Sequence, residues 1–270
     1  MSPTARMRLA VGLAAVAAAA VVAGVVYATR QDPPQPKALC KGPLRPTVVA
    51  GVPSRHLAAV RAALAKQPKA AALALEPVAQ AAPRDPVVQF NLGRVLYCAG
   101  YPDEATQAFR RAKAAARDTY YRVAVDNLLH PQYFDQGYPP FQYDGTDPLL
   151  VQGQVEQRRF HPESAERLFA RAARLHPDDP DAQVAAAVGR FDMDDLSASF
   201  SRLGPLVKRF PHSQSVRFHL GLLLVWIGER KQARTEFRAA RDLGPATKLG
   251  RTAAVFLRSL AAGGSGAPKR

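Results

Sequence analysis

Over the C-terminal two-thirds of the chain, apolar residues recur at spacings of three and four, which places them along one side of a helix. Between 214 and 247 they fall at Phe218, Leu222, Val225 and Trp226, then at Ala233, Phe237 and Ala240. Gly228 separates the two runs and Pro245 closes the second. This pattern predicts two amphipathic helices joined by a tight turn. The layout then repeats upstream in steps of 34 residues (245 − 211 = 211 − 177 = 34). Pro245, Pro211 and Pro177 are in step. So are Gly221, Ala187 and Gly153; Phe237, Leu203 and Phe169; and Ala233, Ser199 and Ala165.

Two further copies lie nearer the start. Leu92, Gly93, Leu96, Gly100, Ala105, Phe109 and Ala112 keep the offsets, with Arg117 where the closing proline would stand. Ala59, Ala71, Leu75, Val78 and Pro83 mark a weaker copy. The predicted register is 52–85, 86–119, 146–179, 180–213 and 214–247 within a domain of 54–262. The physical logic is packing. The Gly and Ala positions are where two helices approach closely, and Leu and Phe fill the space between. Proline ends the second helix because it cannot donate the i→i−4 bond. One helix pair cannot bury its apolar face alone, so neighbours must stack. Leu249, Ala253, Phe256, Leu257 and Leu260 extend the helical spacing, which predicts a capping helix over 246–262. Residues 263–270 read as a flexible tail.

The period and its Leu-Gly, Ala-x3-Phe and Pro positions resemble the tetratricopeptide repeat, a 34-residue helix–turn–helix. The resemblance covers about 170 residues, the five copies of 34. It implies an all-α, right-handed helical solenoid of about five repeats plus the cap. It also implies protein–protein interaction through a groove lined by the first helix of each repeat, without catalysis or cofactor. On the last first helix that face would carry Phe218, Leu222, Val225 and Trp226. Either the capping helix covers them or they form an apolar binding patch. Asn91 and Arg94 fall on an earlier first helix, in places where some members grip a partner's terminal carboxylate. Their counterparts Val151, Gln154, Ala185 and Val188 do not continue that pattern.

The register breaks between Thr119 and Thr146. This aromatic insert (120–145) holds Tyr120, Tyr121, Tyr133, Phe134, Tyr138, Phe141 and Tyr143. Its first ten residues have a helical pattern, and the Pro and Gly residues that follow predict a loop. It reads as a repeat that keeps its first helix and replaces its second. Its aromatics, Tyr133, Phe134, Tyr138 and Phe141 among them, either plug the gap or present rings to a partner.

The start of the chain follows another pattern. After a short basic tail (1–8), residues 9–28 contain no charge. About 20 apolar residues span a bilayer, so this stretch predicts a single-pass signal anchor. The shorter apolar region of a cleaved signal peptide fits less well. A segment of 29–53 with repeated prolines predicts an extended spacer. A bacterial plasma membrane, with the repeats on its extracytoplasmic side, is the expected location.

Charge adds one alternative. Net charge is +15, from 37 Lys and Arg against 22 Asp and Glu. The predicted second helices carry basic stripes: Arg110, Lys113 and Arg117; Arg167, Arg171 and Arg174; Arg234, Arg238 and Arg241. These read as solvated faces or as contacts for anionic lipid or polymer. No nucleic-acid signature accompanies them, so no specific nucleic-acid partner is expected. The six histidines lack metal-ligand spacing, and no phosphate loop or nucleophile motif occurs. The chain is therefore expected to be no enzyme and to hold no metal. Cys40 in the spacer and Cys98 in a repeat helix either pair, if the compartment is oxidising, or stay free.

Overall fold

The computed structural model describes residues 39–130 and 141–261. The expected anchor (9–28) lies outside them, as do Tyr133, Phe134 and Tyr138 of the insert. Among the described residues no helix is long and apolar enough to cross a membrane.

The described part is all-helical. Twelve helices follow in order: α1 (Leu57–Leu64), α2 (Pro68–Ala81), α3 (Pro86–Ala99), α4 (Pro102–Ala115), α5 (Tyr120–Leu129), α6 (Pro148–Arg158), α7 (Pro162–Leu175), α8 (Pro180–Gly189), α9 (Leu196–Arg209), α10 (Gln214–Trp226), α11 (Arg230–Leu243) and α12 (Lys248–Ala261). Proline opens many of them, where its missing N–H costs nothing. Asp85, Asp147, Asp179 and Ser213 cap α3, α6, α8 and α10 by accepting first-turn amides.

Helices pack on their sequence neighbours, most closely as the pairs α3–α4, α6–α7 and α10–α11. The 34-residue spacing has a direct steric cause. A Cβ on Gly93, Gly153 or Gly221 would come within 2.7, 2.2 and 2.8 Å of the ring of Phe109, Phe169 and Phe237 respectively. Each ring fills the space a side chain would need. Where Ala187 replaces the glycine, the smaller Leu203 replaces the phenylalanine, and both are buried. A second recurrent contact joins repeats. Gln89 donates to the carbonyl of Ala79 at 3.0 Å, and Gln183 donates to that of Ala173 at 2.9 Å. The two glutamines share a register position (89 − 86 = 183 − 180), as do their acceptors (79 − 52 = 173 − 146).

The turn between paired helices uses a left-handed residue: Gly100 at φ 91°, Gly228 at φ 82° and, at the equivalent place, Phe160 at φ 62°. A phenylalanine there is strained. Its ring meets Tyr120 edge-on at 4.9 Å.

The insert begins as the sequence predicts, with α5 starting 34 residues after α3 (120 − 86). Residues 141–147 form no helix. Polar contacts tie the neighbourhood of α5 to the rest of the fold. Asp118 accepts the amide and hydroxyl of Ser164 at 3.0 and 2.5 Å. The ammonium of Lys113 reaches Asp126 at 2.5 Å and Asp194 at 2.8 Å. Lys113 therefore does not belong to a solvated stripe. Burial alone would lower its pKa, but these carboxylates outweigh that and raise it.

Of the two readings of the α10 face, the structure shows the covered one and not the open binding patch. Phe218, Leu222, Val225 and Trp226 are all buried. Phe218 packs on Phe237 and Phe256, so α11 and α12 cover it. Trp226 turns the other way and meets Phe191 edge-on at 5.1 Å. An inner helix flanked on both sides has no apolar face left to expose.

Candidate functional site

From Cys40 onward the segment expected as a spacer is extended and lies along α3. Cys40 is bonded to Cys98, with Cα atoms 5.5 Å apart. Farther along, Arg94 on α3 donates to the carbonyl of Arg45 at 2.6 Å and to the hydroxyl of Thr47 at 2.9 Å. Asn91, one turn earlier on α3, holds both polar groups of Thr47. Its Oδ1 accepts the Thr47 amide at 2.9 Å and its Nδ2 donates to the Thr47 carbonyl at 3.0 Å. The Tyr121 hydroxyl of α5 donates to the same carbonyl at 2.8 Å. The far end is fastened at the start of α3. There the Ser54 hydroxyl donates to Asp85 at 2.5 Å, and His56 Nδ1 lies 3.0 Å from the same oxygen.

Electrostatics follows from this packing. Burial would raise the Asp85 carboxyl, but the bonds from Ser54, His56 and the Val88 and Val87 amides outweigh it and hold it below the ordinary range. Burial pushes the Tyr121 hydroxyl up to about 12, which keeps it a neutral donor. Burial also lowers the Arg94 guanidinium. Asn91 is fully buried under the strap. Leu44, Val49 and Val52 are half-buried against the core.

A second extended segment is held in the same manner. Gln154 of α6 donates to the Phe141 carbonyl at 3.1 Å, and Gln157 accepts the Phe141 amide at 3.1 Å. His219 of α10 accepts the Gln142 amide on Nε2 at 2.8 Å, while its Nδ1 donates to the Ser215 carbonyl at 2.7 Å. This bonding pattern fixes the neutral Nδ1–H tautomer. Full burial holds the imidazole down at about 4. Phe141 is 2% exposed and packs between Phe169, Tyr143 and His219. It fills core space and presents no ring outward.

The residues that hold main chain share a register. Asn91 and His219 occupy the same place in their repeats (91 − 86 = 219 − 214), and so do Arg94 and Gln154 (94 − 86 = 154 − 146). The Asn91 place on α6 is Val151, which is 40% exposed. The arrangement is suited to reading an extended backbone, since amide and guanidinium groups satisfy N–H and C=O groups without regard to side chain. Tyr121, Gln157 and His219 were not singled out by sequence as ligands of main chain. Their signal was available as polar side chains at places where a helix pair otherwise buries apolar ones.

The basic residues separate. Arg171, Arg174 and Arg238 are exposed, and Arg234 is half-buried. Arg167 lies 3.6 Å from Asp118, and Arg241 lies 2.7 Å from Asp242. Among the described residues no group of three or more His, Cys, Asp or Glu side chains is placed to hold a metal. The enclosed space beside His219, Ser199 and Phe191 is about 10 Å³, room for one water at most.

No family model, curated protein or solved structure matches the chain.

Proposed function

We propose that the protein is a non-catalytic adaptor of tetratricopeptide type, a helical solenoid tethered to a bacterial plasma membrane through residues 9–28. Its first helices hold an extended segment of a partner protein or peptide. The observation that carries this reading is the recurrence of two register positions, Asn91 with His219 and Arg94 with Gln154, each bonded to the main chain of an extended segment. The exposed Val151 marks where the same face is open. The bond between Cys40 and Cys98 supports an extracytoplasmic domain, because disulfides persist in oxidising compartments.

The test is co-isolation with the tagged full chain from detergent-solubilised membranes of its own organism, at low and high salt. The proposal expects one protein retained in stoichiometric amount at high salt. Recovery of lipid alone, lost as salt rises, would sink it. A second reading, an electrostatic binder of anionic lipid or polymer, has its own observation. Arg171, Arg174 and Arg238 are exposed and have no carboxylate within ion-pair distance among the described residues.

A further inference from the structure

The strap on α3 follows the helix end to end. Cys40 meets Cys98, Arg45 meets Arg94, Thr47 meets Asn91 and Ser54 meets Asp85. Strap numbers rise as helix numbers fall, so the strap runs antiparallel to α3. Between its ends the polar groups taken up include the Arg45 carbonyl, the Thr47 amide, carbonyl and hydroxyl, and the Val49 amide, which meets the Tyr121 hydroxyl. The Arg45 side chain is exposed and Val48 is 47% exposed. The strap forms no regular secondary structure and makes a turn at Gly51, whose φ is 79°. A face that recognises main chain in this way accepts other extended peptides with small or β-branched residues at the Thr47 place.

The geometry points to residues 44–52 as a ligand that the chain supplies to its own peptide-binding face, with the Cys40–Cys98 bond as the lock that keeps it there. This rests on the adaptor reading above and names what fills the site at rest. A tethered segment acts at an effective concentration in the millimolar range, so a free peptide of ordinary affinity does not displace it. A covalent lock makes the closure tighter still. The opener is a dithiol. It gives two electrons and two protons to the bond, leaves as its own cyclic disulfide, and frees two cysteine thiols.

The inference is tested on the full chain in detergent, oxidised and after dithiol treatment. Hydrogen exchange reads the amides of Thr47 and Val49 against those of α3. In the oxidised chain the two sets exchange together. After reduction the strap amides should exchange at least ~10-fold faster while α3 keeps its protection, the mark of local opening. A fluorescent peptide copying residues 42–53, supplied at millimolar concentration to match the strap that stays tethered through Ser54, should bind the reduced chain and not the oxidised one. In the reduced chain Asn91→Ala and Arg94→Met should each speed exchange of the strap amides by a further ~10-fold, the effect of losing a bond to buried main chain. Melting curves establish that each variant is folded. Strap exchange that still tracks α3 after reduction would make the strap an inseparable part of the core and overturn the inference. So would strap exchange unaffected in both folded variants. A partner retained equally by oxidised and reduced chain would overturn it too, while leaving the adaptor reading in place. Expected peptide behaviour with no partner retained would do the reverse.

Discussion

At the scale of single residues, the glycine beneath each phenylalanine ring carries the repeat. A methyl group on Gly221 has no room, because the Phe237 ring lies 2.8 Å from its place. Gly221→Ala should destabilise the protein by about 1–3 kcal/mol, the range for overpacking. Adding Phe237→Leu copies the Ala187 and Leu203 pair. Thermal melts should show the double variant less destabilised than the sum of the two single changes. His219 supplies the pH dependence. Its folded pKa is about 4 against an ordinary 6.5 for histidine, so the unfolded chain takes up the proton first. Stability is then complete above pH 6.5 and is lost as pH falls toward 4. The loss approaches about 3 kcal/mol. Urea melts across that window should show the slope, and His219→Gln should flatten it. The lowered carboxyls of Asp85 and Asp194 act below that window, since their loss begins only as pH falls through the ordinary carboxylate range.

At the scale of elements, sequence periodicity made the helix pairs legible because each is built from local spacing and a steric fit between Gly and Phe. It could not place α10. Periodicity shows which side of a helix is apolar but not how many neighbours cover it, and α11, α12 and the Phe191 turn cover both flanks. Lys113 was misread for a related reason. It falls in step with Arg110 and Arg117, yet its partners are Asp126 on α5 and Asp194 before α9, which no local pattern reveals. Lys113→Ala removes the cation from the fully buried Asp126. Removing one partner of a buried pair costs about 3 kcal/mol or more, which chemical denaturation would detect. The exposed arginines make the opposite prediction. Reversing charge at Arg171, Arg174 and Arg238 should leave the melting temperature within a few degrees and partner retention intact. Loss of partner retention in the folded variant would favour the electrostatic reading.

At the scale of the whole molecule, the chain is held by covalent and polar ties as well as by stacked helices. The Cys40–Cys98 bond spans 58 residues, and closing a loop of that size contributes about 4 kcal/mol in the chain-entropy model. Intact mass should therefore show alkylation of two thiols only after reduction, together with a lower melting temperature. Two thiols that alkylate in the native protein would contradict this. Composition allowed the pairing but could not show where Cys98 sits. The reach of the spacer across α3 depends on Asn91, Arg94 and Tyr121 together, and only folding brings them together.

The most direct test of the first-helix face uses a photo-reactive amino acid placed in the full chain in its own membranes. One copy carries it at Val151, on the open part of that face, and another at Arg171, on the exposed side of a second helix. The account predicts a single protein adduct from position 151 and none from 171. Adducts from 171 alone, to protein or to lipid, would contradict it.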